Sequence, residues 1–545
     1  MTEYKIDPIT LEVVRHKLDG IANEMELNLL RSSFSPIVKE GLDASASLFT
    51  IKGETLAQAC SVPIHLATLI PVVNAILSSY PLESMKDGDV YIMNDPYLGG
   101  THLPDIALVA PVFGKSGKPI AITATMAHHQ DVGGMSPGSI PTHATEIFQE
   151  GLRIPPLKFY DGGELNTTLD AMLRLNVRVP EMLMGDLHAQ IAGCKIGIRR
   201  LSDLEAVYGA DELSAMFEAL LDHSEHLTVD ALRTIPEGQY RYTGWLDNDG
   251  IDLDKPVKIQ VAVNVQGGKL HVDFSGTSAQ LRGPFNCVAS GSHAAVYFAV
   301  RTLTNPDIPT NGGCFRCVTV TLPEGTLVNP RAPAPVCART ATIKRISATL
   351  LAAFKDVLDD KVGADSASTL TAVAFGGLNE EGKPFVVSEL IAGGNGASRE
   401  GDGVDVIETD ASNCMNYPAE AIEMNAPVRV RRMALRTGSG GDGTHRGGLG
   451  IIKEFEMLAD GITMTHRGEG HRRGAEGAAG GAAGQVAVSQ IVRNSGQVEE
   501  IKSKIVTTLS RGDRLIVQTA GGGGWGKPSD RDDSARREDQ LNGKV

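Results

Sequence analysis

Cysteine is scarce in this sequence, with seven among 545 residues. An odd, scattered set of cysteines does not build the disulfide framework of a small secreted domain, so we expect a reducing, cytoplasmic setting. Long apolar runs are also missing. The longest nearly uncharged stretch, residues 66–77, is too short to span a bilayer and contains Pro71. The first eight residues lack the apolar segment of a signal peptide, so we expect neither export nor a membrane anchor.

A complete phosphate-binding loop is missing as well. The near match is Gly521–Lys527, which reads G-x-x-x-x-G-K, but Pro528 stands where a Ser or Thr would hold Mg²⁺. We interpret this run as a glycine-rich closing turn. Cys314 and Cys317 have redox or zinc spacing, but no second cysteine pair accompanies them, and we interpret both as buried thiols.

Positive charge is in deficit. The 51 Lys and Arg residues face 66 Asp and Glu residues, which gives a net charge of −15. Such a field repels phosphate backbones and anionic headgroups, so nucleic acids and membranes are not expected as partners. The content of 42% hydrophobic and 21% charged residues is typical of a globular protein.

The spacing of apolar residues and of glycines divides the chain into three regions. Together they predict a fold of the mixed α/β or α+β class. Residues 1–205 combine an amphipathic helix, with apolar residues at spacings of three and four from Pro8 to Arg31, with β-hairpins. Residues 206–375 are predicted to form an α+β middle region. Residues 376–545 are predicted to form a β-rich C-terminal region whose turns are made by glycine. The sequence therefore predicts a large multidomain subunit.

Histidines and carboxylates gather at the open end of one predicted β-hairpin. Its turn lies at Gly114–Lys118. Antiparallel pairing about that turn puts Asp105 opposite His128, where the two side chains start about 5 Å apart. His129 points to the other face because side chains alternate along a strand. A slip of one residue would exchange the two histidines.

His102 lies three residues before Asp105, at the mouth of the same hairpin. Imidazole and carboxylate ligands at one edge suit a catalytic divalent metal with an open coordination position. The alternative is a polar loop in which His102 and His128 only hydrogen-bond to carboxylates. The spacing favours metal binding, so residues 1–205 are predicted to form the core around a metal site.

Motifs spread along nearly the whole chain resemble one known family. They include Lys39-Glu-Gly-Leu-Asp43, Asn94-Asp-Pro-Tyr, Ala127-His-His-Gln-Asp-Val-Gly-Gly, Phe148-Gln-Glu-Gly-Leu-Arg-Ile-Pro-Pro, Asp273-Phe-Ser-Gly-Thr-Ser, Arg446-Gly-Gly-Leu-Gly and Gly521-Gly-Gly-Gly-Trp-Gly. By these motifs the chain resembles the B subunit of the hydantoinase B/oxoprolinase family. That family includes ATP-dependent hydantoinases and lactamases, 5-oxoprolinase and one subunit of acetone-type carboxylases.

The resemblance implies a metal centre, and it alone adds Asp43 to the ligand set. The implied ligands of a divalent metal (Zn, Mn or Fe) are Asp43, His102, Asp105 and His128. His129 and Asp131 would then orient substrate or shuttle a proton. The resemblance also implies a partner, a larger hydantoinase A-like subunit with an actin-like ATPase fold. Use of ATP by that partner would explain the missing phosphate loop.

One hypothesis and two alternatives follow. The first is the B subunit of an ATP-dependent cyclic amidase, which opens a small hydantoin, 5-oxoproline or lactam ring by metal-assisted hydrolysis of an O-phosphorylated amide. The second is a subunit of an ATP-dependent ketone carboxylase of the acetone or acetophenone type, which shares the oxygen-phosphorylation step. The third is a non-catalytic scaffold that completes an active site on its partner. Metal content separates the scaffold from the two enzymes.

Overall fold

The computed structural model of the protein describes residues 6–368 and 370–545. The first five residues, on which the expectation of no signal peptide partly depends, lie outside them. The α-helices of the described residues are α1 (Pro8–Ser32), α2 (Pro36–Lys39), α3 (Pro63–Ser79), α4 (Thr167–Leu175), α5 (Pro180–Tyr208), α6 (Ala210–Leu232), α7 (Ala289–Leu303), α8 (Arg339–Ala352), α9 (Ala419–Asn425) and α10 (Asp533–Leu541). None of the helices in these residues has the length and apolar character needed to cross a bilayer.

The strands fall into four sheets. They are β1 (Ala44–Phe49), β2 (Thr55–Gln58), β3 (Val90–Met93), β4 (Asp105–Phe113), β5 (Pro119–His128), β6 (Leu157–Asp161), β7 (Glu164–Leu165), β8 (Gly238–Leu246), β9 (Val257–Gln266), β10 (Lys269–Asp273), β11 (Val318–Thr321), β12 (Leu370–Leu378), β13 (Pro384–Ala392), β14 (Val428–Leu435), β15 (Ile451–Met457), β16 (Ile462–Arg467), β17 (Val488–Val492), β18 (Val498–Ile501), β19 (Lys504–Leu509) and β20 (Arg514–Gln518). Mixed helix and sheet confirm the predicted fold class.

Helix α1 begins where the sequence predicts. The carboxylate of Asp7 accepts a hydrogen bond from the Thr10 amide at 2.9 Å, and Pro8 occupies the first turn, where no intrahelical donor is needed. The predicted apolar stripe is buried, with Val14 and Leu29 among its fully covered residues. This stripe packs α1 against β1 and α5.

The sheet with the histidine motifs has the strand order β2-β1-β5-β4-β3-β6-β7. Alternate residues of β4 enter different cores: Ile106 and Leu108 pack with residues of α5, whereas Ala107 and Val109 pack with residues of α3. Helices therefore cover both faces of this sheet, and a side chain at the end of β4 or β5 is shielded from solvent.

The other sheets have the orders β11-β10-β9-β8, β13-β12-β16-β19 and β14-β15-β20-β17-β18. One apolar core joins Leu29 and Ala127 of the first predicted region to Phe375, Phe455 and Leu515 of the later sheets. The first and last predicted regions thus pack against one another. The domain boundaries at 205/206 and 375/376 stay a prediction from the sequence.

The glycine run after β20 packs backbone against backbone. Each main-chain N–H from Gly521 to Gly526 donates to a main-chain carbonyl elsewhere in the chain, at 2.9–3.2 Å. A Cβ atom built on Gly522 would lie 1.9 Å from the carbonyl oxygen of Asn395. These glycines are therefore required for close packing, and their amides are already used inside the fold.

Candidate metal centre

The β4–β5 hairpin has the predicted register. Asp105, the first residue of β4, lies directly opposite His128, the last residue of β5, and the turn falls between Phe113 and Pro119. The main-chain N–H of His129 instead donates to the Pro104 carbonyl at 2.8 Å. The pairing of Asp105 with His128 rather than His129 is confirmed.

Three predicted ligands meet at this strand end. Oδ1 of Asp105 lies 2.9 Å from Nε2 of His102 and 3.2 Å from Nδ1 of His128. The two imidazole nitrogens are 3.1 Å apart. One ligand atom from each residue thus lies within 4.8 Å of the other two, close enough to share a metal ion.

Residues distant in sequence hold these side chains in place. Nδ1 of His102 lies 3.0 Å from the carbonyl oxygen of Cys337, which can only accept, so Nδ1 carries the proton. The other carboxylate oxygen of Asp105, Oδ2, accepts hydrogen bonds from the hydroxyl of Thr101 and the guanidinium of Arg339. Asp105 therefore has one oxygen anchored by donors and one turned toward the imidazoles.

Asp43 lies at the edge of the group. Its carbonyl accepts the His128 amide at 3.0 Å, which ties it to the end of β5, and its Oδ2 is 3.8 Å from Nδ1 of His128. His65 on α3 is close as well: its Nε2 is 3.8 Å from Oδ1 of Asp43 and 4.0 Å from Oδ2 of Asp105. Nδ1 of His65 is buried without a hydrogen-bond partner among the described residues.

Burial controls the charge state of the centre. It lowers the pKa of His102 to about 3, with a further contribution from the Arg339 guanidinium, and it also lowers the pKa of His65. Burial alone would raise the pKa of Asp105, but the Arg339 guanidinium and the hydrogen bonds that the carboxylate accepts hold it well below its ordinary value. The centre therefore contains the neutral imidazoles of His102 and His65 beside an ionised carboxylate.

This donor set fits a divalent metal. Because Nδ1 of neutral His102 donates to Cys337, its Nε2 presents a lone pair, and that lone pair faces a carboxylate oxygen at 2.9 Å. Two acceptors in such contact repel one another unless a cation lies beside them. Neutral imidazole and carboxylate are also the ligands that zinc, manganese and iron accept. The side chains of His128 and Asp43 are 12% and 13% exposed, which leaves one edge open.

The two residues predicted to handle substrate or protons lie outside this group. His129 is buried, and its Nε2 is 3.0 Å from the side-chain oxygen of Gln190 on α5. Asp131 accepts the amides of Gly133 and Gly138 and both the amide and the guanidinium of Arg178. No hydrogen bond joins either residue to His102, Asp105 or His128 in the described part of the chain.

Other motifs turn out to be structural. Residues 134–138 read G-x-S-x-G, as in a serine-hydrolase nucleophile elbow, but Ser136 precedes a single 3-10 turn rather than lying between a strand and a long helix. Cys314 and Cys317 are buried free thiols, as predicted. In the described residues, Gly521–Lys527 is followed by a single 3-10 turn, Pro528–Asp530, and not by the long helix of a phosphate-binding loop, since α10 begins only at Asp533.

Comparison with known proteins decides the family. The model of the hydantoinase B/oxoprolinase family matches residues 7–528. The chain belongs to this family. The resemblance seen in the motifs is thus confirmed, and the described centre is that of a hydantoinase B/oxoprolinase family member.

The similarity to known relatives and to solved structures covers almost the whole chain. The putative B subunit of a D-/L-hydantoinase from Pseudomonas sp. (strain NS671) is 34% identical, with 99% of this chain and 93% of that protein covered. The crystal structure of the ATP-dependent caprolactamase from Pseudomonas jessenii superposes with a TM-score of 0.92 at 30% identity and covers 99% of this chain and 95% of that one. Nucleotide-free acetone carboxylase has a TM-score of 0.89 at 21% identity, covers 99% of this chain and 78% of that one, and shares the fold.

Proposed function

We propose that this chain is the B subunit of an ATP-dependent cyclic amidase that opens a hydantoin, 5-oxoproline or lactam ring. The observation that carries the proposal is the buried contact of His102, Asp105 and His128, in which a lone pair and a carboxylate oxygen converge. Support comes from the similarity to the B component of a hydantoinase and to caprolactamase over nearly the whole chain.

The chemistry explains why both ATP and a metal would be needed. An amide resists water because resonance stabilises its carbonyl, and transfer of the ATP γ-phosphoryl group to the amide oxygen removes that protection. One water then opens the ring, with cleavage of the C–N bond and a proton passed to nitrogen, and a second water takes up the phosphoryl group. A divalent metal bound at the centre would supply Lewis acidity that lowers the pKa of water and stabilises negative charge.

Each residue of the centre has a distinct task in this proposal. His102, Asp105 and His128 hold the metal, and Asp43 completes the set at the open edge, where the substrate arrives. His129 keeps one ring nitrogen, Nδ1, without a hydrogen-bond partner among the described residues, so we assign proton transfer to it. The acceptors of Asp131 are already taken by backbone amides and a guanidinium, which limits it to orienting the adjoining loop.

The proposal includes a second subunit. The amides of Gly521–Gly526 donate to carbonyls within the fold and are not free to bind phosphate. Phosphorylation would then take place on a hydantoinase A-like partner with an actin-like ATPase fold, across a large, stable interface. The Pseudomonas relative is itself named as one subunit of a hydantoinase, which agrees with such an assembly.

Reconstitution tests the proposal. The chain, an A-type partner and their mixture are assayed for ATP hydrolysis and ring opening with hydantoin, 5-oxoproline and caprolactam, and for carboxylation of acetone with bicarbonate. We expect ring opening from the mixture alone, together with stoichiometric metal in this chain. Carboxylation without ring opening would favour the ketone carboxylase, whereas a metal-free chain in an active mixture would favour the scaffold. Full activity of this chain by itself would contradict the two-subunit proposal.

A further inference from the structure

A buried glutamate lies behind the metal centre without touching it. Glu150 is fully buried, and its Oε1 accepts two main-chain amides, from Val336 at 2.8 Å and from Cys337 at 2.9 Å. Its Oε2 has no hydrogen-bond partner among the described residues. One carboxylate oxygen thus fixes the course of a chain segment that comes from another part of the sequence.

That segment reaches the metal centre at two points. We call residues 336–339 the bracket. Within it, the Cys337 carbonyl accepts a hydrogen bond from Nδ1 of His102 at 3.0 Å, and the guanidinium of Arg339 pairs with Oδ2 of Asp105. Arg467 donates a further hydrogen bond to the same Cys337 carbonyl at 3.1 Å. The bracket therefore orients one imidazole and one carboxylate together.

We propose that Glu150 is a positioning residue of the metal centre, because it fixes the bracket. The bracket sets the tautomer of His102 and anchors Oδ2 of Asp105, so that Oδ1 faces the imidazoles. The inference rests on the metal site proposed above. Ligands that are held by such outer contacts bind metal in one geometry, and loss of those contacts typically weakens metal binding by roughly 10–100-fold.

Three variants of one position separate the possibilities. Glu150→Ala removes the acceptor of both amides and should weaken Co²⁺ binding by roughly 10–100-fold. Glu150→Gln keeps an acceptor oxygen in place and should bind Co²⁺ like the wild type. Burial raises the pKa of Glu150 to about 8, so glutamine closely imitates the protonated acid at neutral pH. Glu150→Asp is the variant to use if alanine prevents folding, since its shorter carboxylate cannot reach both amides.

The matched control is Glu205. This buried carboxylate on α5 also accepts a backbone amide, that of Lys115, at 3.0 and 3.1 Å, but it does so at the turn end of the β4–β5 hairpin. Glu205→Ala should therefore lower thermal stability while Co²⁺ affinity stays unchanged. A loss of affinity in both alanine variants alike would reduce Glu150 to a structural residue.

The readouts are Co²⁺ affinity, measured by competition with a chelator on the full chain, and the visible absorption of bound Co²⁺, which reports ligand geometry. We expect Glu150→Ala and Glu150→Asp to change the band shape per bound ion, and Glu150→Gln to restore it. His102→Ala is measured in parallel. If it binds Co²⁺ as tightly as the wild type, the metal site itself is wrong. If it fails to bind while Glu150→Ala matches the wild type in affinity and spectrum, only the Glu150 inference is wrong.

Discussion

Two buried histidine pairs invite comparison. His102 and His128 have ring centroids 4.9 Å apart, and His466 and His471, in the C-terminal region, have theirs 5.8 Å apart. Burial lowers the pKa of both His102 and His466 to about 3. By burial and by the direction of the pKa shift, His102 and His466 look alike.

The atom between the rings makes the difference. In the second pair it is the Ser489 hydroxyl, 2.9 Å from Nε2 of His466 and 3.3 Å from Nε2 of His471. A hydroxyl donates to one ring and accepts from the other, so Nε2 of each imidazole has a partner in this pair. In the first pair the atom is a carboxylate oxygen, which can only accept. A shifted pKa therefore does not distinguish a metal centre from a structural histidine pair. Several hydrogen-bond acceptors that face one another beside a partly exposed edge do distinguish it.

Loss of the central carboxylate should have the largest effect. We expect Asp105→Ala to abolish stoichiometric metal and to cost about 3–5 kcal/mol of unfolding free energy, because it leaves the buried Arg339 guanidinium unpaired. Asp105→Asn should keep more stability and still lose metal. Elemental analysis and thermal unfolding measure the two effects.

The control is an aspartate that contacts the second histidine pair, His466 and His471. Asp247 is a buried aspartate whose Oδ2 accepts the His471 amide at 2.8 Å. Asp247→Ala should be destabilising while the metal content stays at the wild-type level. Retention of metal by Asp105→Ala would remove the distinction drawn between the two pairs.

The sequence predicted the local half of the metal centre. His102, Asp105 and His128 lie on one hairpin, so strand alternation and turn position were enough to bring them together. Asp43 came from family resemblance, and His65 was not among the predicted ligands. Nothing local signals Arg339, which is 234 residues away from Asp105 in sequence. Its contact depends on where the first residue of α8 lies relative to the start of β4.

For the fold as well, local structure could be predicted from the sequence and contacts between distant segments could not. Helix α1 and the hairpins were predicted because their periodicities are local. The boundary predicted at 205/206 falls inside α5, near its end, and α5 and α6 are separated at Gly209, whose φ is 78°. The pairings of β1 with β5 and of β12 with β16 join distant segments, and no pattern in either strand names its partner.

The next effect separates two adjacent histidines. His128→Ala should weaken metal binding by at least roughly 10–100-fold, since even outer contacts have that influence. His129→Ala should retain metal better, because its ring turns to Gln190 on the other side of the strand end. Metal titration of both variants checks the order. Equal loss, or the reverse order, would show that His129 is a ligand.

A smaller effect is expected at Ser489. Ser489→Ala leaves two buried imidazole nitrogens without their partner and should cost about 1–3 kcal/mol of unfolding free energy, with metal content unchanged. Ser489→Thr retains the hydroxyl and serves as the control. Denaturant unfolding with parallel elemental analysis is the measurement. A metal deficit in Ser489→Ala would mean that the second pair is a metal site after all.

The smallest effect is expected at Lys527, which ends the glycine-rich run Gly521–Lys527. Like the second histidine pair, this run resembles a functional motif. Like Ser489, the amides of Gly521–Gly526 already have partners within the fold, and the Lys527 side chain is exposed. Lys527→Ala should therefore change stability by no more than about 0.5 kcal/mol. It should also leave ATP hydrolysis by the reconstituted pair at the wild-type rate.

Gly522→Ala provides the contrast at the same loop, because its Cβ would meet the Asn395 carbonyl at 1.9 Å and the variant should be strongly destabilised. Together the two variants distinguish a loop that is packed from a loop that binds nucleotide. A packed loop tolerates loss of the lysine and not an added methyl group. If ATP hydrolysis instead falls in Lys527→Ala while its thermal stability is unchanged, the loop acts on phosphate, and ATP chemistry belongs to this chain rather than to its partner.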